Sequence, residues 1–273
     1  MQAASRNLPD RDRISVLAGT ILMAFSFTPY VSLPAINLTL AISGVVLPIQ
    51  LNFRTLVSVL VAAMTAAGAD WLVHDHPAFR GHLTVQHWLL PALTAWVIGS
   101  VLFTVPFNPL WWAAFAVGGL TLMLVLIAEY IVVDPEDARY PLAAAGLGAL
   151  AFGLFLALAI TLDTANLRLF MRLPFISLAA GLVSLRVLNL RLAGRWAIWE
   201  SLLIVLLASQ FVAVFHYWNL PPASYGLVLL APIYGTINFL AMTESSQTLR
   251  RAVMEPALVS MLMLAGAIWL AFI

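Results

Sequence analysis

Cysteine is absent from the 273 residues, and so is lysine, since all 13 basic residues are arginine. Without thiols the chain has no disulfide, no thiolate metal site and no thiol nucleophile. Without a lysine amine it forms no Schiff base of the retinal or pyridoxal kind. Charge of either sign is scarce: Asp, Glu, Lys and Arg make up 9% of the chain, where a soluble domain carries roughly a quarter. The net charge of +1 comes with no basic stripe to neutralise phosphates, which excludes nucleic acid as a partner.

What remains is apolar. Hydrophobic residues are 63% of the sequence and the mean hydropathy is +0.99. Several runs are about 20 residues long, enough to cross a hydrocarbon core of about 30 Å. These features predict an all-α polytopic transmembrane helix bundle, one membrane domain over residues 1–273, with the lipid bilayer as solvent. Residues 1–13, with Arg6, Arg11 and Arg13, read as a cytoplasmic N-terminus ahead of an uncleaved first helix, since no small-residue cleavage site follows. Helices are expected over about 14–30, 55–73, 87–105, 111–133, 140–162, 173–190, 197–218, 224–243 and 253–273. That is nine, with eight as the alternative count. Ala62, Ala63, Ala66, Ala67 and Gly68 in the second would let helices approach closely. No internal repeat is evident, which argues against transporter folds built from repeats.

One segment breaks the helical pattern. Ile36, Leu38, Leu40 and Ile42 alternate with Asn37, Thr39, Ala41 and Ser43, and Ile49, Leu51 and Phe53 alternate with Gln50 and Asn52. Period two on either side of Ser43-Gly44 predicts a β-hairpin over 34–53. Its unpaired edges forbid lipid exposure at membrane depth. It is therefore expected at the outer interface, between helices 1 and 2, as a cap on the bundle or as an edge that pairs with a strand of a membrane-protein partner.

Arginine placement suggests the orientation. With the N-terminus inside, Arg6, Arg11, Arg13, Arg80, Arg139, Arg191, Arg195, Arg250 and Arg251 fall on inner segments, and Arg54, Arg168 and Arg172 on outer ones. The positive-inside rule then predicts a bacterial cytoplasmic membrane protein with its N-terminus inside and its C-terminus outside. Asp70, Glu129, Arg186, Glu200 and Glu244 all lie near the cytoplasmic helix ends, and Arg186 is expected to pair with Glu200 across the turn between helices six and seven. No ionisable residue marks the midplane, where ion-coupled transporters keep theirs, although Gln210 and Asn238 are candidates for a polar path.

Four of the five histidines lie between Asp70 and Trp88, on a cytoplasmic loop at 74–87. Asp70 and His74 share a helix face by their spacing of four, and His76, His82 and His87 follow. Imidazoles with a carboxylate can hold Zn²⁺ or another first-row metal with a position left for water. Such a water, its pKa lowered, is a hydrolytic nucleophile, with Glu129 or Glu200 as candidate general base. The competing reading is an ordinary interfacial loop, where His, Trp and Arg are favoured. The spacing matches no sharp metal motif such as HExxH. Depth argues against a bis-histidine haem, because His216 is expected at the outer end of helix seven.

The runs HWLLPALTAWVIG (87–99), VDPEDARY (133–140) and HYWNLPP (216–222) resemble an uncharacterised family of bacterial many-pass membrane proteins. The resemblance covers most of the chain beyond residue 50 and implies no activity. Arg80-Gly81-His82 more faintly resembles the Asp/His-rich loop of membrane-bound metal-dependent hydrolases, with Leu83-Thr84-Val85 replacing that family's Thr-His-Ser.

The function expected from these features is a structural, accessory or assembly subunit acting through helix faces and the hairpin. The alternative is a metal-dependent hydrolase, with Asp70, His74, His76, His82 and His87 as ligands. A small-molecule or lipid transporter ranks third.

Overall fold

A computed structural model describes residues 11–31, 36–42, 45–51, 53–79, 81, 84–244 and 248–272. Nine α-helices follow one another among them: α1 (Arg11–Ser26), α2 (Phe53–His74), α3 (Leu89–Thr104), α4 (Pro109–Ile131), α5 (Tyr140–Thr164), α6 (Leu169–Arg191), α7 (Ile198–Phe215), α8 (Pro222–Glu244) and α9 (Leu249–Ala271). Between α1 and α2, β1 (Ile36–Ile42) pairs antiparallel with β2 (Val45–Leu51), Ile36 opposite Leu51. Seams between helices follow from local chemistry. Asn108 caps α4 by accepting from the Leu110 and Trp111 amides at 2.9 and 3.3 Å, and Pro109 occupies the first helical position, where its missing N–H costs nothing. At the α6–α7 turn, Gly194 takes φ +86°, open to a residue without Cβ.

Eight of these helices are long and apolar enough to cross a membrane, and the chain is an integral membrane protein. Trp199, Leu206, Leu262 and Trp269, all well exposed, then face lipid rather than water. The helix left out is the 16-residue α1, about 24 Å at 1.5 Å per residue, while α3, equally short, reaches spanning length with the turn ahead of it, Val85–Thr104. Helix α1 nevertheless runs alongside α2 from end to end. Ile14, Ala18, Ile21 and Phe25 bury one stripe, Arg13 pairs with Asp75 just beyond α2, and Tyr30 meets Phe107 in the α3–α4 turn, ring centroids 5.7 Å apart.

The interior divides in two. Leu90, Leu93 and Val97 of α3 face a core shared with α5 to α8. Ala95, Ile98 and Leu102 of the same helix face a smaller core with α1, α2 and α4. Helix α3 is thus the partition, and the polar residues just ahead of it stand where both halves meet. Helix α9 packs on α8, where Ser260 Oγ donates to the Ala231 carbonyl at 2.9 Å.

Candidate functional site

The loop after α2 ends in a single 3-10 turn, Val85–His87, which turns Gln86 and His87 inward beneath α3. Glu129 lies in the last turn of α4 and Arg186 and Asn189, three apart, share a face near the end of α6. These five side chains close a ring. The Gln86 amide nitrogen lies 3.3 Å from His87 Nε2. His87 Nδ1 lies 2.9 Å from Glu129 Oε2 and 3.3 Å from Arg186 Nη2. Arg186 grips Glu129 with two donors, Nε to Oε1 at 2.9 Å and Nη2 to Oε2. Its Nη1 donates to Asn189 Oδ1 at 3.0 Å, and Asn189 Nδ2 returns to Gln86 Oε1 at 3.2 Å. Asn189 also donates to the Gly194 carbonyl at 2.9 Å, fastening the α6–α7 turn.

Glu129 and Arg186 are each 1% exposed. A pair so deep survives desolvation only with good geometry and its remaining hydrogen bonds met. The fork-to-carboxylate grip supplies the first condition and the amides supply the second.

The other residues of the histidine stretch are held separately. Asp70 Oδ1 accepts from Thr84 Oγ1 and from the Trp88 indole at 3.0 Å, closing the loop onto α2. His74 Nδ1 lies 2.9 Å from the Asp70 carbonyl and its ring tilts against Phe79. His76 is buried, accepts the Ala78 amide on Nδ1 at 3.1 Å and meets Tyr130 edge-on. His82 lies outside the described residues. Among the described residues no three His, Asp or Glu side chains gather as a metal site.

The expected Arg186–Glu200 pair is not formed. Arg186 turns toward α3 and α4 and takes Glu129, while Glu200, in the first turn of α7, meets Arg195 at 2.8 Å. Arg195 also meets Glu244 at 2.6 Å, an exposed triad tying α8 to the same turn. Of the two candidate bases, Glu129 has both oxygens engaged in the ring and Glu200 is a surface ion-pair partner. Gln210 is exposed, and Asn238 accepts from Arg191. At the opposite end, Arg172 donates to Asp163 at 2.7 Å and stands over the Tyr225 ring at 5.1 Å, joining α5, α6 and α8.

Gln86 and Asn189 were not singled out by the sequence. Their signal is weak: uncharged polar residues at the depth shared by Glu129 and Arg186.

A match of residues 33–270 to a family model settles the kinship. The chain belongs to DUF5656, a family of proteins of unknown function. The match runs from the hairpin to the end of α9, so every ring residue of this DUF5656 protein lies inside it. It accords with the resemblance to an uncharacterised family. No curated protein and no solved structure matches.

His76, outside the ring, gives the fold a pH dependence. Burial lowers its pKa below the ordinary 6.5, and His87 pushes the same way, against the opposing carboxylates of Asp134 and Asp137. The unfolded chain therefore binds a proton at pH values where the folded chain does not. The stability is complete above pH 6.5 and falls as pH drops through that value toward the folded pKa. Thermal unfolding at pH 7.5 and 5.5 should show a smaller loss on acidification in His76→Phe, which keeps a ring against Tyr130.

Proposed function

We propose that this protein is a structural or assembly subunit of a membrane complex: a rigid bundle that presents helix faces and the 34–53 hairpin to an integral membrane partner. The observation that carries this reading is the closed ring. Its acid, its imidazole and its guanidinium are all spent on joining α4, α6, the α6–α7 turn and the 3-10 turn ahead of α3, an arrangement suited to rigidity rather than turnover. The strands of the hairpin pair only with each other among the described residues, which leaves outer edges of the kind that accept a partner strand. The membrane in this reading is the bacterial cytoplasmic membrane. The arginine-rich histidine-loop end faces inward, and nine crossings take the C-terminus to the outer side with the hairpin.

Native mass spectrometry of the protein isolated in mild detergent tests the reading. A stoichiometric membrane partner is expected with the wild type, and it is lost when residues 36–51 are replaced by a Gly/Ser linker. A wild-type protein that is monomeric and partner-free under conditions that preserve other membrane complexes contradicts it.

A further inference from the structure

Between α5 and α6, at the histidine-loop end, lies a cleft of about 240 Å³ lined by Ala144, Ala145, Gly148, Val187, Leu190 and Arg191. Its walls are small or apolar and its one charge is Arg191, the last residue of α6. Arg172, Arg186 and Arg195 each hold a carboxylate. Arg191 is different: it donates to the neutral Asn238 amide oxygen, and no ion pair is formed by it among the described residues. The floor is also open, since a Cβ built at Gly148 would meet no atom within 4 Å.

We propose that this cleft binds an anionic glycerophospholipid, its phosphate on Arg191 and an acyl chain along Gly148 and Val187. Three features place that occupant. The guanidinium offers a planar fork matched to phosphate oxygens. It stands at a helix end, the depth of the headgroups, while the apolar lining runs from there toward the bilayer centre. Basic pockets between transmembrane helices hold anionic headgroups in this manner. No acid in the lining competes for the arginine or pairs with the ammonium of a zwitterionic lipid, so a net negative headgroup is favoured.

Delipidated protein titrated with phosphatidylglycerol or phosphatidylcholine of matched chains, read by native mass spectrometry, tests the site. The expected result is a phosphatidylglycerol adduct on the wild type that weakens about fivefold in Arg191→Gln, the worth of one arginine near an anionic surface. It should weaken comparably in Gly148→Leu, which puts a branched side chain into the cleft from a position where a Cβ meets no atom within 4 Å. Glutamine keeps a donor for Asn238; if that variant fails to fold, Gly148→Leu carries the test alone. Equal binding of the two lipids, or adducts unchanged in the folded variants, would overturn the proposal. Competition by inorganic phosphate would assign Arg191 to a free anion instead and overturn the lipid as occupant.

Discussion

Arg186→Met should be among the most destabilising single substitutions in the chain, costing about 3–5 kcal/mol, because it leaves the Glu129 carboxylate buried without its cation. The loss reaches beyond the pair. Asn189 Oδ1 forfeits the donor it receives from Arg186, and the ring opens on the side that fastens the α6–α7 turn. Arg186→Lys should recover only part, since a single ammonium cannot reproduce both the Nε and Nη2 bonds to Glu129 and the third to Asn189. Unfolding in detergent, followed by tryptophan emission, measures the effect. Arg168→Met, at an exposed position, should stay within about 0.5 kcal/mol of the wild type.

The second large effect is expected at the other end of the bundle. Arg172→Met removes the guanidinium that binds Asp163 at 2.7 Å and lies over Tyr225. Asp163 is 16% exposed at its side chain and Arg172 6%, so the stranded carboxylate is less deeply buried than Glu129. A cost of about 3 kcal/mol, at the lower edge of the range for broken buried pairs, is expected in the same unfolding experiment. Combined with Arg186→Met the losses should add, since the pairs sit at opposite ends of α6 and share no partner.

The helices were largely legible in the sequence, because each is an apolar run of membrane-spanning length bounded by polar turns. The first is the instructive case. Its apolar run extends to Tyr30, yet α1 ends at Ser26, and turn-forming residues carry the chain the remaining distance to Phe107. The sixth starts at Leu169 rather than Leu173, with Pro174 inside the helix, where it withholds one backbone donor. Depth was legible as well: Glu129, Arg186 and Glu200 do share one end of the bundle.

Pairing was not legible. Arg186 and Glu200 flank a short turn, and proximity in sequence suggested a bond. Whether two helical side chains meet depends on the rotation of each helix about its axis, which core packing sets. Arg186 faces Glu129 of α4 and the 3-10 turn ahead of α3, and Glu200 faces the surface triad with Arg195 and Glu244. Between elements the ring joins residues 42 to 103 positions apart, a separation at which one sequence carries no pairing signal. For the same reason the histidines read as one constellation, although His74, His76 and His87 belong to different local networks in the fold.

The central claim is that the buried acid and base of the ring hold helices together. The most direct test compares Glu129→Leu, Arg186→Met and the double substitution by thermal unfolding. If the ring is a tie between helices, each single variant strands a buried charge and loses several kcal/mol, while the double variant, with both charges gone, recovers much of that loss. A double variant as unstable as the sum of the two singles would contradict the account, for it would mean that Glu129 and Arg186 act independently and that the ring does not hold the bundle together.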